Sequence, residues 1–145
     1  MKFSILTGAM VLVLGCGAQA LAVDELENVI NYRQSVMKVL GGHTGAIVAV
    51  VKGEVSYVGD VAAHARGINE MSKLLPGLFP KGTGQDNYPE TRALPELWND
   101  RAKFEAAAKN LQVQSAKLAA VAEGGDLAAI GAQVKNLGKA CGSCH

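Results

Sequence analysis

Apolar side chains recur along this chain at alternating gaps of three and four residues in four stretches, the spacing that gathers them on one seam of an α-helix. The first seam is Leu26, Ile30, Arg33, Met37, Leu40, Thr44, Ile47 and Val51, interrupted by Gly41 and Gly42 and ending near Gly53. A second starts from an N-cap at Asp60 and runs through Val61, His64, Ile68, Met71, Leu75 and Leu78, with Pro76 bending or ending it near its last turn. The third opens at Pro95 and repeats Leu97, Phe104, Leu111 and Leu118 every seventh residue, until Gly124 and Gly125 close it. Asp126 caps the fourth, whose seam is Leu127, Ile130, Val134, Leu137, Cys141 and Cys144.

No segment shows the two-residue alternation of a strand, so the expected fold is all-α, an antiparallel four-helix bundle. Between Pro80 and Leu94 the helical pattern vanishes. That polar, Gly- and Pro-containing stretch is the only long loop, enough to cross the bundle or wrap its end.

The first residues read as an export signal: Lys2 supplies a positive start, and Ile5 to Gly15 form an apolar core too short to span a bilayer. Cleavage is expected before Leu21 or before Val23. The second is preferred, which makes 1–22 a signal peptide and 23–145 one domain. Cys16 offers an alternative, because Val13, Leu14, Gly15 and Cys16 loosely resemble a lipoprotein box whose acylated cysteine would anchor the chain to a membrane. After ordinary cleavage only Cys141 and Cys144 remain of the three cysteines, which argues against a disulfide framework.

Charge narrows the partners. With 14 basic and 13 acidic residues, a formal +1 removes the electrostatic case for nucleic acid or for strong adhesion to anionic lipid. No nucleotide-binding glycine loop appears either.

The chain closes on Cys141, Gly142, Ser143, Cys144 and His145, a CxxCH run with the spacing of c-type haem attachment: two thiols for the porphyrin vinyl groups, then an imidazole for the iron. A zinc site would need more ligands than this, and His43 and His64 lie far off in sequence. A dithiol redox centre would place CxxC at the start of a helix rather than after a long one. Because Cys141 and Cys144 continue the apolar seam of the fourth helix, both are expected to face the core, with a buried haem. Arg33 interrupts an otherwise apolar seam, so a negative partner is expected for it, and a haem propionate would supply one.

With CxxCH at the end of a fourth helix, the chain resembles the cytochrome c′ family of class II c-type cytochromes. The resemblance rests also on Tyr32-Arg33-Gln34, Val50-Val51-Lys52-Gly53, Pro95-Glu96-Leu97-Trp98 and Glu123 to Leu127. It implies one covalent haem c per chain, a homodimer through the first two helices, and a five-coordinate iron that takes nitric oxide or carbon monoxide in the periplasm of a Gram-negative bacterium. By the same resemblance Gln34 assists Arg33, Thr91 touches a propionate, and Met37 sits at the distal face. Relatives usually continue a few residues beyond the histidine, over the proximal face. Here His145 is the last residue, so either the sequence is truncated or that cover is missing.

The expected protein is therefore not an enzyme but an exported monohaem gas binder, attached through Cys141 and Cys144, with His145 as proximal iron ligand. Two alternatives stay open: an electron carrier in which Met37 sulfur is the sixth ligand, and a haem-free dithiol oxidoreductase using the CxxC pair. His43, His64, Trp98 and Phe104 read more simply as core or interface residues.

Overall fold

A computed structural model describes residues 17–145, with side chains from Glu25 onward. The export core Ile5 to Gly15 and the Cys16 of the lipoprotein alternative lie outside the described residues. Among the described residues there are five α-helices: α1 (Gly17–Val51), α2 (Val61–Ser72), the single turn α3 (Glu96–Asn99), α4 (Arg101–Ala122) and α5 (Leu127–Gly142). Among the described residues there is no strand, and no helix is long and apolar enough to cross a membrane.

The four long helices close a ring in which α1 packs on α2, α2 on α4, α4 on α5, and α5 back on α1. Side-chain pairs show the directions. Residue 33 of α1 meets residue 78 while residue 43 meets residue 64, so α1 and α2 are antiparallel. Likewise Arg66 pairs with Glu123, and Ser72 with Ser115, so α2 and α4 are antiparallel. The short turn from Glu123 to Asp126 then sends α5 back along α4.

Local chemistry sets the ends. Gly53, at a φ of 73° that a side chain would resist, closes α1: its N–H donates to Val50 and the N–H of Glu54 reaches Ala49, the two bonds of a Schellman cap. Asp126 caps α5 as expected, its carboxylate accepting from the N–H groups of Ala128 and Ala129 at 2.9 and 3.3 Å.

Three expectations need correction. Asp60 makes no capping bond, because a 3₁₀ turn, Val58–Asp60, delivers the chain to α2 with Asp60 already in a helical conformation rather than the extended one a cap needs. α2 stops at Ser72. Leu75 and Leu78 remain buried, but a second 3₁₀ turn, Leu75–Gly77 around Pro76, now carries the three-residue spacing. The helix expected from Pro95 is two helices, since Asp100 leaves helical geometry and recaps α4 by accepting from the Lys103 N–H, which puts Leu97 on a separate turn from Phe104.

Ile47, Ile68, Leu118, Ile130 and Leu137 form the buried centre. On α1 the seam residues Ile30, Arg33 and Ile47 are buried, and so are Val36 and Val50 beside the seam, whereas Met37 and Val51 are half-buried. A helix touching two neighbours buries a broad stripe, and a single three-four seam traces only one edge of it.

The contrast between two aspartates is testable. Asp126→Ala is expected to lower stability by about 1 kcal/mol, while Asp60→Ala costs under about 0.5 kcal/mol, read as shifts in urea midpoint.

Candidate functional site

The CxxCH run begins in the last turn of α5, at Cys141 and Gly142, and continues as a turn beyond the helix. The Cys141 carbonyl accepts from the N–H groups of Cys144 and His145 at 3.2 and 3.3 Å, so the chain keeps helical curvature to its final residue. Cys141 and Cys144, three apart, therefore stand on one side of this turn, with His145 one turn on from Cys141. Cys141 is half-buried against the core, but Cys144 and His145 are exposed. The expectation that both cysteines face the core thus holds only for Cys141, because α5 ends at Gly142 and carries the second thiol past the packed end of the bundle. Burial, and then the neighbouring Cys144, push the Cys141 thiol up against the pull of its backbone hydrogen bond.

Helix register brings Met37 opposite this turn. A Cβ on Gly131 of α5 would lie 3.1 Å from Cγ1 of Val51 on α1, so those residues are level. Both helices rise about 1.5 Å per residue, and equal steps in opposite directions bring His145 level with Met37 and Cys141 with Gly41. Of the four neighbouring helix pairs, α1 and α5 touch over the shortest stretch. Met37 is half-buried there against the apolar core.

One turn before Met37, Arg33 is 3% exposed and gathers the long connection around its guanidinium. Nη1 donates to Thr83 Oγ1 at 2.9 Å and to the Leu78 carbonyl at 3.4 Å. Nη2 donates to the Thr83 carbonyl at 2.9 Å and to Thr91 Oγ1 at 2.8 Å, and the group lies 4.8 Å above the Phe79 ring. Gln34 reaches the Glu90 carbonyl from the same turn. Arg33, Gln34 and Thr91, widely separated in sequence, are thus brought together. Among the described residues no side-chain carboxylate pairs with Arg33. Four neutral oxygens hold it, and burial lowers its pKa.

Thr83 was not anticipated. It is completely buried and donates to the Pro80 carbonyl at 2.8 Å, yet its setting, Lys81-Gly82-Thr83-Gly84, has the composition of an exposed loop. Only the arginine that needs acceptors could have drawn attention to it. Trp98 packs on Gly84 and donates to the Phe79 carbonyl at 3.1 Å, and Phe79 meets Phe104 edge-on at 5.0 Å, so these aromatics brace the connection. His43 and His64 face each other between α1 and α2.

The donor set fits a c-type haem. Two thiols share one side of a turn, an imidazole stands next to them, a cation lies without a counter-charge, and an apolar thioether sits on the facing helix. A four-helix bundle with this terminal turn defines a class, the bundle-type c cytochromes.

Within that class the chain belongs to the cytochrome c′ family: the sequence model of Cytochrome C' matches residues 28–145. Members of this family carry covalently attached haem c. The chain is 35% identical over 116 residues to a cytochrome c' of Rhodospirillum rubrum, covering 80% of this chain and 78% of that one. It is 32% identical to cytochrome c-554 of Cereibacter sphaeroides, covering 87% of this chain and 84% of the relative. The crystal structure of cytochrome c' from Rubrivivax gelatinosus superposes with a TM-score of 0.73 at 35% identity, covering 81% and 91% of the two chains. A nitric oxide complex of a cytochrome c prime variant from Alcaligenes xylosoxidans gives 0.73 at 31% identity, covering 83% and 92%.

Two outcomes follow from this geometry. Thr83→Val, which leaves a buried guanidinium short of an acceptor, is expected to cost about 1–3 kcal/mol in a denaturant titration, with Thr83→Ser largely restoring stability. In the haem-free chain, iodoacetamide is expected to modify Cys144 before Cys141. The raised thiol pKa makes the lag at Cys141 largest at neutral pH and smaller as pH rises.

Proposed function

We propose that this chain is an exported gas-binding cytochrome that loses residues 1–22 and captures nitric oxide or carbon monoxide in the periplasm of a Gram-negative bacterium. Cys141 and Cys144 hold the haem by thioether bonds, and His145 is the proximal iron ligand. When bound, the haem would supply an iron able to take a diatomic gas. Covalent attachment by two thiols leaves no dithiol for oxidoreductase work. The protein binds and exchanges electrons; it is not an enzyme in the turnover sense.

The protein residues have separable roles. Arg33 offers an uncompensated positive charge to the haem propionates, with Gln34 and Thr91 at its side, and Thr83 and Phe79 keep its guanidinium in place. A neutral set of acceptors satisfies the hydrogen bonds of a buried cation but not its charge, so a carboxylate arriving there is favoured. Met37 crowds the distal face and selects small ligands. Tyr32 and Val39 of α1, with Val55, Tyr57 and Val58 beyond it, are exposed apolar side chains at the first two helices, and they support a homodimer through that surface.

The observation that carries this reading is Met37, half-buried against the apolar core on the helix that runs antiparallel to α5; an even helix rise counted from the Gly131–Val51 pair puts it near the level of His145. Packing of that kind favours a side chain that limits space over one free to swing onto the metal. The same position would also allow sulfur ligation, which defines the rival electron carrier with six-coordinate iron.

Visible spectra decide between them. The ferric protein is expected to show high-spin bands, and the ferrous protein a Soret band that shifts with carbon monoxide. Met37→Ala is expected to keep that coordination and bind carbon monoxide severalfold faster. A low-spin wild type that turns high-spin in Met37→Ala would establish the electron carrier instead.

A further inference from the structure

The long connection holds one buried polar side chain whose purpose the haem reading leaves open. Thr83 is fully buried and meets Arg33 twice. Its Oγ1 accepts from Nη1 at 2.9 Å and its carbonyl accepts from Nη2 at 2.9 Å, so one residue grips both arms of the guanidinium.

A second bond fixes that grip. The Thr83 hydroxyl gives its single proton to the Pro80 carbonyl at 2.8 Å, which leaves Oγ1 facing Arg33 as an acceptor only. It has no proton left for an arriving carboxylate. Thr91 differs, because its Oγ1 accepts from Nη2 at 2.8 Å and from the Ala93 N–H at 3.3 Å, and among the described residues no acceptor takes its proton. Thr91 can therefore turn a donor to a carboxylate, whereas Thr83 serves the cation alone.

The oxygens that hold Arg33 are all neutral. The Leu78 carbonyl completes the set at 3.4 Å, and the Phe79 ring lies 4.8 Å from the guanidinium carbon. None of the ion pairs among the described residues includes Arg33. An aspartate in place of Thr83 would accept such bonds more strongly, but it would cancel the charge. Threonine satisfies the N–H groups and keeps the charge whole.

From this geometry we propose that Thr83 is a positioning residue for the redox chemistry of the haem: it holds Arg33 in place without neutralising it, and so raises the reduction potential of the iron. This role rests on the reading that Arg33 faces the propionates. Ferric iron that takes one electron from a donor becomes ferrous and loses one unit of positive charge, so a fixed cation nearby favours the reduced form. Burial makes that influence larger than a surface charge would exert, because water and salt screen it less. Burial and hydrogen bonds beyond the iron ligands are among the levers by which a protein sets a haem potential.

Spectroelectrochemical titration of the mature, haem-loaded protein tests this role. Thr83→Asp is expected to lower the midpoint potential, moving the ferric–ferrous balance about fivefold toward ferric iron, while Thr83→Asn, of equal size but neutral, stays within about twofold of wild type. A merely structural role would move both alike. Thr83→Val puts no charge in the core but frees one arm of the guanidinium toward water, and its midpoint is expected to fall and to become sensitive to salt. Arg33→Gln should fall at least as far as Thr83→Asp. Equal midpoints in Thr83→Asp and Thr83→Asn, beside a lowered Arg33→Gln midpoint, would overturn the role of Thr83 and leave Arg33 beside the propionates. Where Thr83→Asp does not fold, a Thr83→Val midpoint equal to wild type at every salt concentration overturns it in the same way. An unchanged Arg33→Gln midpoint would instead overturn the placement of Arg33, and this role with it.

Discussion

The buried guanidinium of Arg33 is the interaction on which the working end of this bundle depends. A cation taken out of water must find acceptors for its N–H groups. Here α1 alone offers none, so the connection between α2 and α4 is drawn in to provide them from Leu78, Thr83 and Thr91. Hydrogen bonds to a charged group contribute about 1.5–3 kcal/mol each, and leaving one unmade costs comparably. That cost explains why a polar, glycine-containing stretch wraps tightly over one end of the bundle, with Thr83 and Thr91 inside.

Order in the connection then propagates to the aromatics. Phe79 lies under the guanidinium and against Phe104, while its carbonyl accepts from Trp98 and Arg101. The single turn α3 and the break at Asp100 are consequences of delivering Trp98 to that place before α4 can begin. The N–H groups freed at the break are partly satisfied locally, because the Asp100 carboxylate caps the new helix.

At the same end, the chain brings together what its chemistry needs from two antiparallel helices. The end of α5 and the turn that follows it supply two thiols and an imidazole, and α1 supplies the cation, an amide and a thioether over barely more than one turn. The α1–α5 seam is the least extensive contact of the ring, so the residues proposed to hold the haem lie where helix packing is weakest. Membership of the cytochrome c′ family gives that arrangement its cofactor. The opposite end is purely structural, closed by the Gly53 cap, the Asp126 cap and the Arg66–Glu123 ion pair.

Periodicity by itself determined the fold class, the four long helices and the Asp126 cap, because each depends on residues within a turn or two of one another. CxxCH determined the attachment chemistry for the same reason, since its spacing is local. Tertiary structure decided whatever depends on partners distant in sequence. Leu97 was separated from Phe104 by the need to place Trp98. Cys144 fell outside the core because the bundle ends before it does, a length that no seam reveals. The burial of Thr83 and the meeting of His43 with His64 were invisible in the sequence for one physical reason. Each is decided by which side chain arrives from another helix, and only the packed ring brings that side chain within bonding distance.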